Sequence, residues 1–67
     1  MIQEYHCTFH EGRDERCTQI MSQVPRRGDW LLINDILYEV EMVTYDMRVK
    51  NNAIAVAVLI RRKTKQF

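Results

Sequence analysis

Two histidines and two cysteines near the start of the chain are the residue types that most suggest a metal site: His6, Cys7, His10 and Cys17. On a strand His6 and His10 face the same side but lie about 13 Å apart, while zinc needs nitrogen ligands near 2 Å. The C-x-x-C spacing of strong zinc sites is absent. Cys7 points to the opposite face of this strand from the two histidines, and a free cysteine on an apolar face commonly serves as a small core residue. We therefore expect no metal ligands and no cofactor.

Glu39 and Glu41 are two carboxylates on one face of a predicted strand, the arrangement a hydrolase could use. The alternating Tyr38 and Val40 take the other face, so the glutamates are expected to point to solvent. The only serine, Ser22, has no nucleophile motif around it, and no glycine-rich loop precedes a helix. A chain of 67 residues also leaves little material for a deep pocket. We expect no catalytic residues and no enzymatic activity.

Arg27-Gly28-Asp29 spells the tripeptide of integrin ligands. Glycine and aspartate are also typical turn residues, and here they come directly before a predicted strand at Trp30. We interpret the tripeptide as part of a loop.

The charged residues divide unevenly along the chain. Residues 1–47 carry net −5 and residues 48–67 carry net +6, which together give the +1 of the whole protein. A terminal basic block is typical of contact with nucleic acid or another anionic partner. The alternative is a solvated tail that protects the last strand from edge pairing. The candidate residues for an anionic partner are Arg26, Arg27, Arg61, Arg62, Lys63 and Lys65.

These side chains must be positioned by strands, because no segment shows sustained helical periodicity. Strands are predicted at Glu4–His10, Trp30–Ile33, Ile36–Tyr45 and Ala53–Ile60. Arg16–Met21 is a fifth strand or one turn of helix, and the strand is favoured. Turns or loops are predicted at Glu11–Asp14, Val24–Asp29, Asn34–Asp35 and Asp46–Asn52. In the first strand, Tyr5, Cys7 and Phe9 share the inner face.

The two long strands predict a hairpin centred on Arg48 and Val49. That register would pair Tyr38 with Ile60, Val40 with Val58, and Met42 with Val56. A slip by one residue would set Glu39 against Val58 and bury a carboxylate. The outer face of the last strand would then carry Ala53, Ala55 and Ala57.

Together these elements predict an all-β fold, a single small antiparallel barrel or twisted sheet of about five strands. We expect one β domain at residues 1–60 and a basic C-terminal tail at residues 61–67. The longest apolar run, Ala53–Ile60, is far shorter than the roughly 20 residues of a membrane-spanning helix, so no membrane contact is expected. Two cysteines and a start without signal-peptide character favour a cytoplasmic, reduced protein.

The stretch from Val24 to Ile33, with Pro25, Gly28 and Asp29 before the strand and Tyr38-Glu39-Val40 after it, resembles a motif in small all-β proteins of bacteria and their phages. Those proteins have a Pro-x-x-Gly-Asp motif at the start of a strand and Src-homology-3-like barrels, and most have no assigned function. The resemblance covers about residues 2–60. It implies a barrel fold and a bacterial or phage setting, and it supplies no catalytic residues.

The sequence therefore predicts a non-catalytic interaction or accessory protein that acts through its surface on a protein partner. The prediction is compatible with a homodimer. The alternative is a nucleic-acid-binding barrel that uses the basic C-terminal segment. Aromatic residues interleaved with basic ones would strengthen that alternative, and they are few.

Overall fold

The computed structural model describes residues 3–50 and 53–63, and these form one five-stranded β-sheet. The strands are β1 (Glu4–Glu11), β2 (Asp14–Met21), β3 (Trp30–Ile33), β4 (Ile36–Lys50) and β5 (Ala53–Arg62). Their order across the sheet is β2-β1-β5-β4-β3. The all-β prediction is confirmed, and the segment left open between strand and helix is the strand β2.

The sheet is mixed, which corrects the antiparallel prediction. β1 pairs with β5 in parallel, while the other three pairings are antiparallel. The hairpins β1–β2 and β4–β5 each run antiparallel, and they join through their β1 and β5 strands, which point the same way. This long-range contact has no local sequence signal.

The sheet curls into a half-barrel and does not close. Within the described residues, no Cα atom of β2 lies within 8 Å of a Cα atom of β3. Adjacent strands in a sheet are about 4.8 Å apart, so β2 and β3 cannot pair with each other. Both remain edge strands.

The core lies on the inner face of the curled sheet, as the alternation of residues predicts. Cys7 and Phe9 of β1 are buried there, and Tyr5 packs against them from a half-buried position. The central strand β5 contributes Val56, Val58 and Ile60. Ala53, predicted to face outward, is 8% exposed. Its short side chain lies on a strand flanked on both sides by neighbours.

The predicted register between β4 and β5 is wrong. Val40 pairs with Ile60 instead of Val58, and Tyr38 pairs with Arg62. The pairing shifts between Val40 and Met42, so that Glu41 is an extra residue in β4. Because a bulge reverses the facing of the residues that follow, Met42 points outward and is 56% exposed. Val43 takes the predicted place of Met42 and packs against the core opposite Val58.

The predicted turn at Asp46–Asn52 is also wrong over its described part. β4 continues to Lys50, with a second irregularity between Asp46 and Val49. Val49 pairs with Ile54 and Lys50 pairs with Ala53, so the ladder extends into the predicted turn. Residues 51 and 52 lie outside the described part of the chain.

The short connections agree with the predictions. Gly12, in the turn between β1 and β2, has a φ of 60°. Asn34 and Asp35 have φ values of 51° and 67°, the positive angles of a two-residue type I′ hairpin turn, which asparagine and aspartate tolerate. Such a turn closes on a hydrogen-bonded pair, here Ile33 and Ile36.

Candidate interaction surface

The basic residues Arg61, Arg62 and Lys63 do not form a free tail. β5 extends to Arg62, so the predicted boundary at residue 60 falls inside a strand. The backbone N–H of Lys63 also donates a hydrogen bond of 2.9 Å to the carbonyl of Leu37. Arg61, Arg62 and Lys63 are therefore held at the end of the sheet. Lys65 lies outside the described residues.

Glu39 forms ion pairs with two of these cations, Arg61 and Lys63. Its Oε1 accepts hydrogen bonds from Arg61 Nη2 at 3.0 Å and from Lys63 Nζ at 3.4 Å. The pKa of Glu39 lies below its ordinary value because Arg61 donates a hydrogen bond to the ionised carboxylate, and the hydrogen bond from Lys63 is the next largest cause. Lys63 Nζ also lies 4.7 Å from the centroid of the Trp30 ring, in a cation–π contact. A polyanion would compete with Glu39 for cations whose charge is already paired.

Glu11 forms an ion pair with Arg62 in a second cluster of charged residues. Its Oε1 lies 2.8 Å from Arg16 Nη2 and 3.3 Å from Arg62 Nη2, and it accepts a weak hydrogen bond of 3.4 Å from the Tyr38 hydroxyl. Partial desolvation works to raise the pKa of Glu11, but Arg16 and Arg62 together outweigh it and lower the pKa. This carboxylate joins β1 to β2, β4 and β5 at one end of the sheet.

Arg26 and Arg27 lie in the loop before β3 and are exposed. Neither forms an ion pair within the described residues. The loop is closed by Asp29, whose Oδ2 accepts a 2.8 Å hydrogen bond from the Arg26 backbone N–H and whose own N–H donates to the Arg26 carbonyl. The Arg-Gly-Asp tripeptide is thus a closed turn in which Gly28 has a φ of 94°.

Two of the six candidate residues, Arg27 and Arg61, line a common groove. This open groove of about 380 Å³ is also lined by Glu39 and Glu41, so it presents both charges. Arg26 and Arg27 line a neighbouring groove of about 520 Å³ together with Glu41, Met42 and Tyr45. The basic residues are dispersed over mixed-charge surface.

The histidines and cysteines are also separated. Cys7 is buried and Cys17 half-buried, and both are free thiols. Burial raises the pKa of each, and the Glu15 carboxylate raises that of Cys17 further. No three His, Cys, Asp or Glu side chains within residues 3–50 and 53–63 lie close enough together to hold a metal ion.

The feature that sequence reasoning missed is the free edge of β3. Trp30 and Leu32 point outward and are 62% and 71% exposed, while Leu31 and Ile33 face the core. Edge strands are usually protected by charged side chains, proline or bulges, and Trp30–Ile33 contains none of these. Four consecutive apolar residues between Asp29 and Asn34 were the available signal, but their edge position depends on the strand order.

Backbone hydrogen bonds establish which groups of β3 face the free edge. Val40 donates to the Asp29 carbonyl at 2.8 Å and accepts from the Gly28 N–H at 2.9 Å, so both of its backbone groups point toward β3. Residues alternate in this respect along an antiparallel pair, so Leu31 and Ile33 bond to β4. The N–H and C=O groups of Trp30 and Leu32 consequently point away from the sheet.

A partly open cavity of about 370 Å³ lies between the two sheet edges, with Gln19 and Asn34 as the polar side chains of its lining. Phe9 and Cys17 line it from the β1–β2 side, and Leu31 and Ile33 line it from β3. An unpaired strand edge thus adjoins a cavity in which apolar side chains can be buried.

No protein-family model, no curated protein and no solved structure matches the chain. The resemblance to Src-homology-3-like proteins of bacteria and phages therefore stays a prediction. No helix capable of crossing a bilayer occurs in the part of the chain that the structure describes.

Proposed function

We propose that the protein is a small non-catalytic interaction module that binds a partner by adding a β-strand to the edge of β3. The observation that carries this proposal is the edge of β3, a strand with no charged residue of its own, where Trp30 and Leu32 present four unpaired backbone groups beside exposed apolar side chains. In strand addition the main-chain hydrogen bonds provide affinity, and alternate side chains fill neighbouring pockets. The 370 Å³ cavity is such a pocket.

The non-catalytic part of the proposal is supported by how the carboxylates are used. Glu11 and Glu39 each contact two cationic side chains, which favours the ionised form and a structural role. The proposal includes a cytoplasmic setting, supported by the two free cysteines, and a bacterial or phage origin, which rests on the motif at Pro25–Asp29.

A labelled peptide of residues 28–35 is a direct probe of strand docking, because it contains β3 with its flanking polar residues. We expect saturable binding to the full chain and loss of binding to Leu32→Lys, which places a charge at the edge. Ile20→Lys is the matched control. Ile20 is 62% exposed and lies on β2, the opposite edge strand of the sheet. Equal binding by all three proteins, or none by the parent chain, would contradict the proposal.

Nucleic-acid binding is the second candidate, favoured by Arg26 and Arg27, which are exposed and without ion pairs in the described residues. Phosphate contacts would give an affinity that falls steeply with salt. Arg26→Gln with Arg27→Gln is a cleaner test than removal of Arg61 or Lys63, because those two residues also stabilise Glu39. Fluorescence polarisation with single- and double-stranded DNA and RNA at low salt should show binding that this double variant loses. Absence of binding by the parent chain eliminates the candidate.

A further inference from the structure

We propose that the strand received at the β3 edge is β3 of a second copy of this chain, so that the protein forms a two-fold dimer with a continuous ten-stranded sheet. This inference rests on the proposed strand docking and names its occupant. It is argued from the self-complementarity of the edge in backbone hydrogen bonding and in side-chain facing.

The hydrogen-bonding groups select one register. If the two β3 strands run antiparallel with Leu31 opposite Leu31 of the second copy, Trp30 lies opposite Leu32 in both directions. Each of these pairs exchanges two N–H···O=C bonds, so all four edge groups of each copy are satisfied. A register centred on Leu32 would form only one such pair, because Trp30 would then face Asn34, which lies in the turn with a φ of 51°.

Side-chain facing agrees with the same register. Leu31 meets Leu31 on the inner face, where each already packs against its own core. Trp30 meets Leu32 on the outer face, and both are large exposed apolar side chains. Shifting the register by one residue would set inner residues against outer ones.

Pairing of the two β3 strands buries little surface area, so the association must be measured over a range of protein concentrations. Trp30 is the largest side chain at this edge, and a buried aromatic residue removes about 150–250 Å² from solvent. A standard interface buries about 800 Å² per partner. We therefore expect a dimer that dissociates on dilution.

Sedimentation equilibrium of the full chain between about 1 μM and 1 mM, a span that covers weak association, tests the inference. The parent chain and Ile20→Lys should rise from 8.1 kDa toward twice that mass, while Leu32→Lys should stay at 8.1 kDa. Circular dichroism verifies that each variant is folded. Leu32→Pro is a second variant that removes an edge N–H and leaves the bonds between β3 and β4 in place.

A parent chain that remains monomeric at 1 mM would overturn the dimer, and so would a dimer that Leu32→Lys retains. The peptide of residues 28–35 separates this failure from failure of the proposed function. A monomeric chain that binds the peptide through β3 accepts a lone strand from another molecule, so strand docking stands and the second copy is excluded. A monomeric chain that does not bind the peptide overturns both.

Discussion

Replacement of Val58 by aspartate should unfold the protein at pH 7. Val58 is 0% exposed in the central strand, between Phe9 of β1 and Val43 of β4. Protonating a carboxyl group of ordinary pKa near 3.9 at pH 7 costs about 4 kcal/mol, and the lost valine burial adds about 1.5–3 kcal/mol. Leaving the acid without hydrogen-bond partners adds about 1–3 kcal/mol. The whole chain of 67 residues is expected to have a stability of only about 3–10 kcal/mol.

Ala57→Asp is the matched control, because Ala57 is the adjacent residue and faces outward, opposite Thr8 and Thr44. It should cost no more than about 1 kcal/mol. Urea unfolding followed by far-ultraviolet circular dichroism compares the two variants with the parent. Val58→Asp should regain stability as the pH is lowered from 7 to 5, because the free energy needed to protonate the buried aspartate becomes smaller at lower pH. Equal urea midpoints for the two variants would refute the assignment of faces in β5.

Two further predictions test the bulge and the carboxylate clusters. Met42→Lys should change the free energy of unfolding by less than about 0.5 kcal/mol, because the bulge at Glu41 turns Met42 outward. Val43→Lys should lower the free energy of unfolding by about 1.5–3 kcal/mol. Urea unfolding measures both variants, and a larger loss for Met42→Lys than for Val43→Lys would support an uninterrupted strand. Because cations lower the pKa of Glu11 in the folded state, its stabilising contribution is complete above the ordinary glutamate pKa near 4.3 and is lost as pH falls below it. The stability difference between the parent and Glu11→Gln should therefore shrink in acid, and a difference that is constant from pH 7 to pH 3 would contradict the cluster.

Local features of the fold could be predicted from the sequence because they depend on neighbouring residues. Alternation identified the inner faces of β1 and β5, and Asn34-Asp35 identified a hairpin turn. The bulge at Glu41 could not be predicted in this way. Met42 is apolar and fits an uninterrupted alternation, so only the pairing with β5 reveals the extra residue.

The surface depended on contacts between distant segments. The basic block appears free in the sequence because its acidic partners, Glu11 and Glu39, lie at least 22 residues away. The fold brings them to the end of β5 and pairs their charges. The edge position of β3 likewise follows from the order of the strands, in which β3 is last and, among the described residues, has β4 as its neighbour on one side only.

Amide hydrogen exchange within β3 tests the claim of a free, strand-accepting edge most directly. In dilute protein, the amides of Leu31 and Ile33 should be protected by β4, while those of Trp30 and Leu32 should exchange rapidly. At high protein concentration, or with the peptide of residues 28–35 bound, Trp30 and Leu32 should become protected and Ile20 on β2 should not change. Protection of Trp30 and Leu32 in the dilute monomer, or rapid exchange under every condition, would contradict the account.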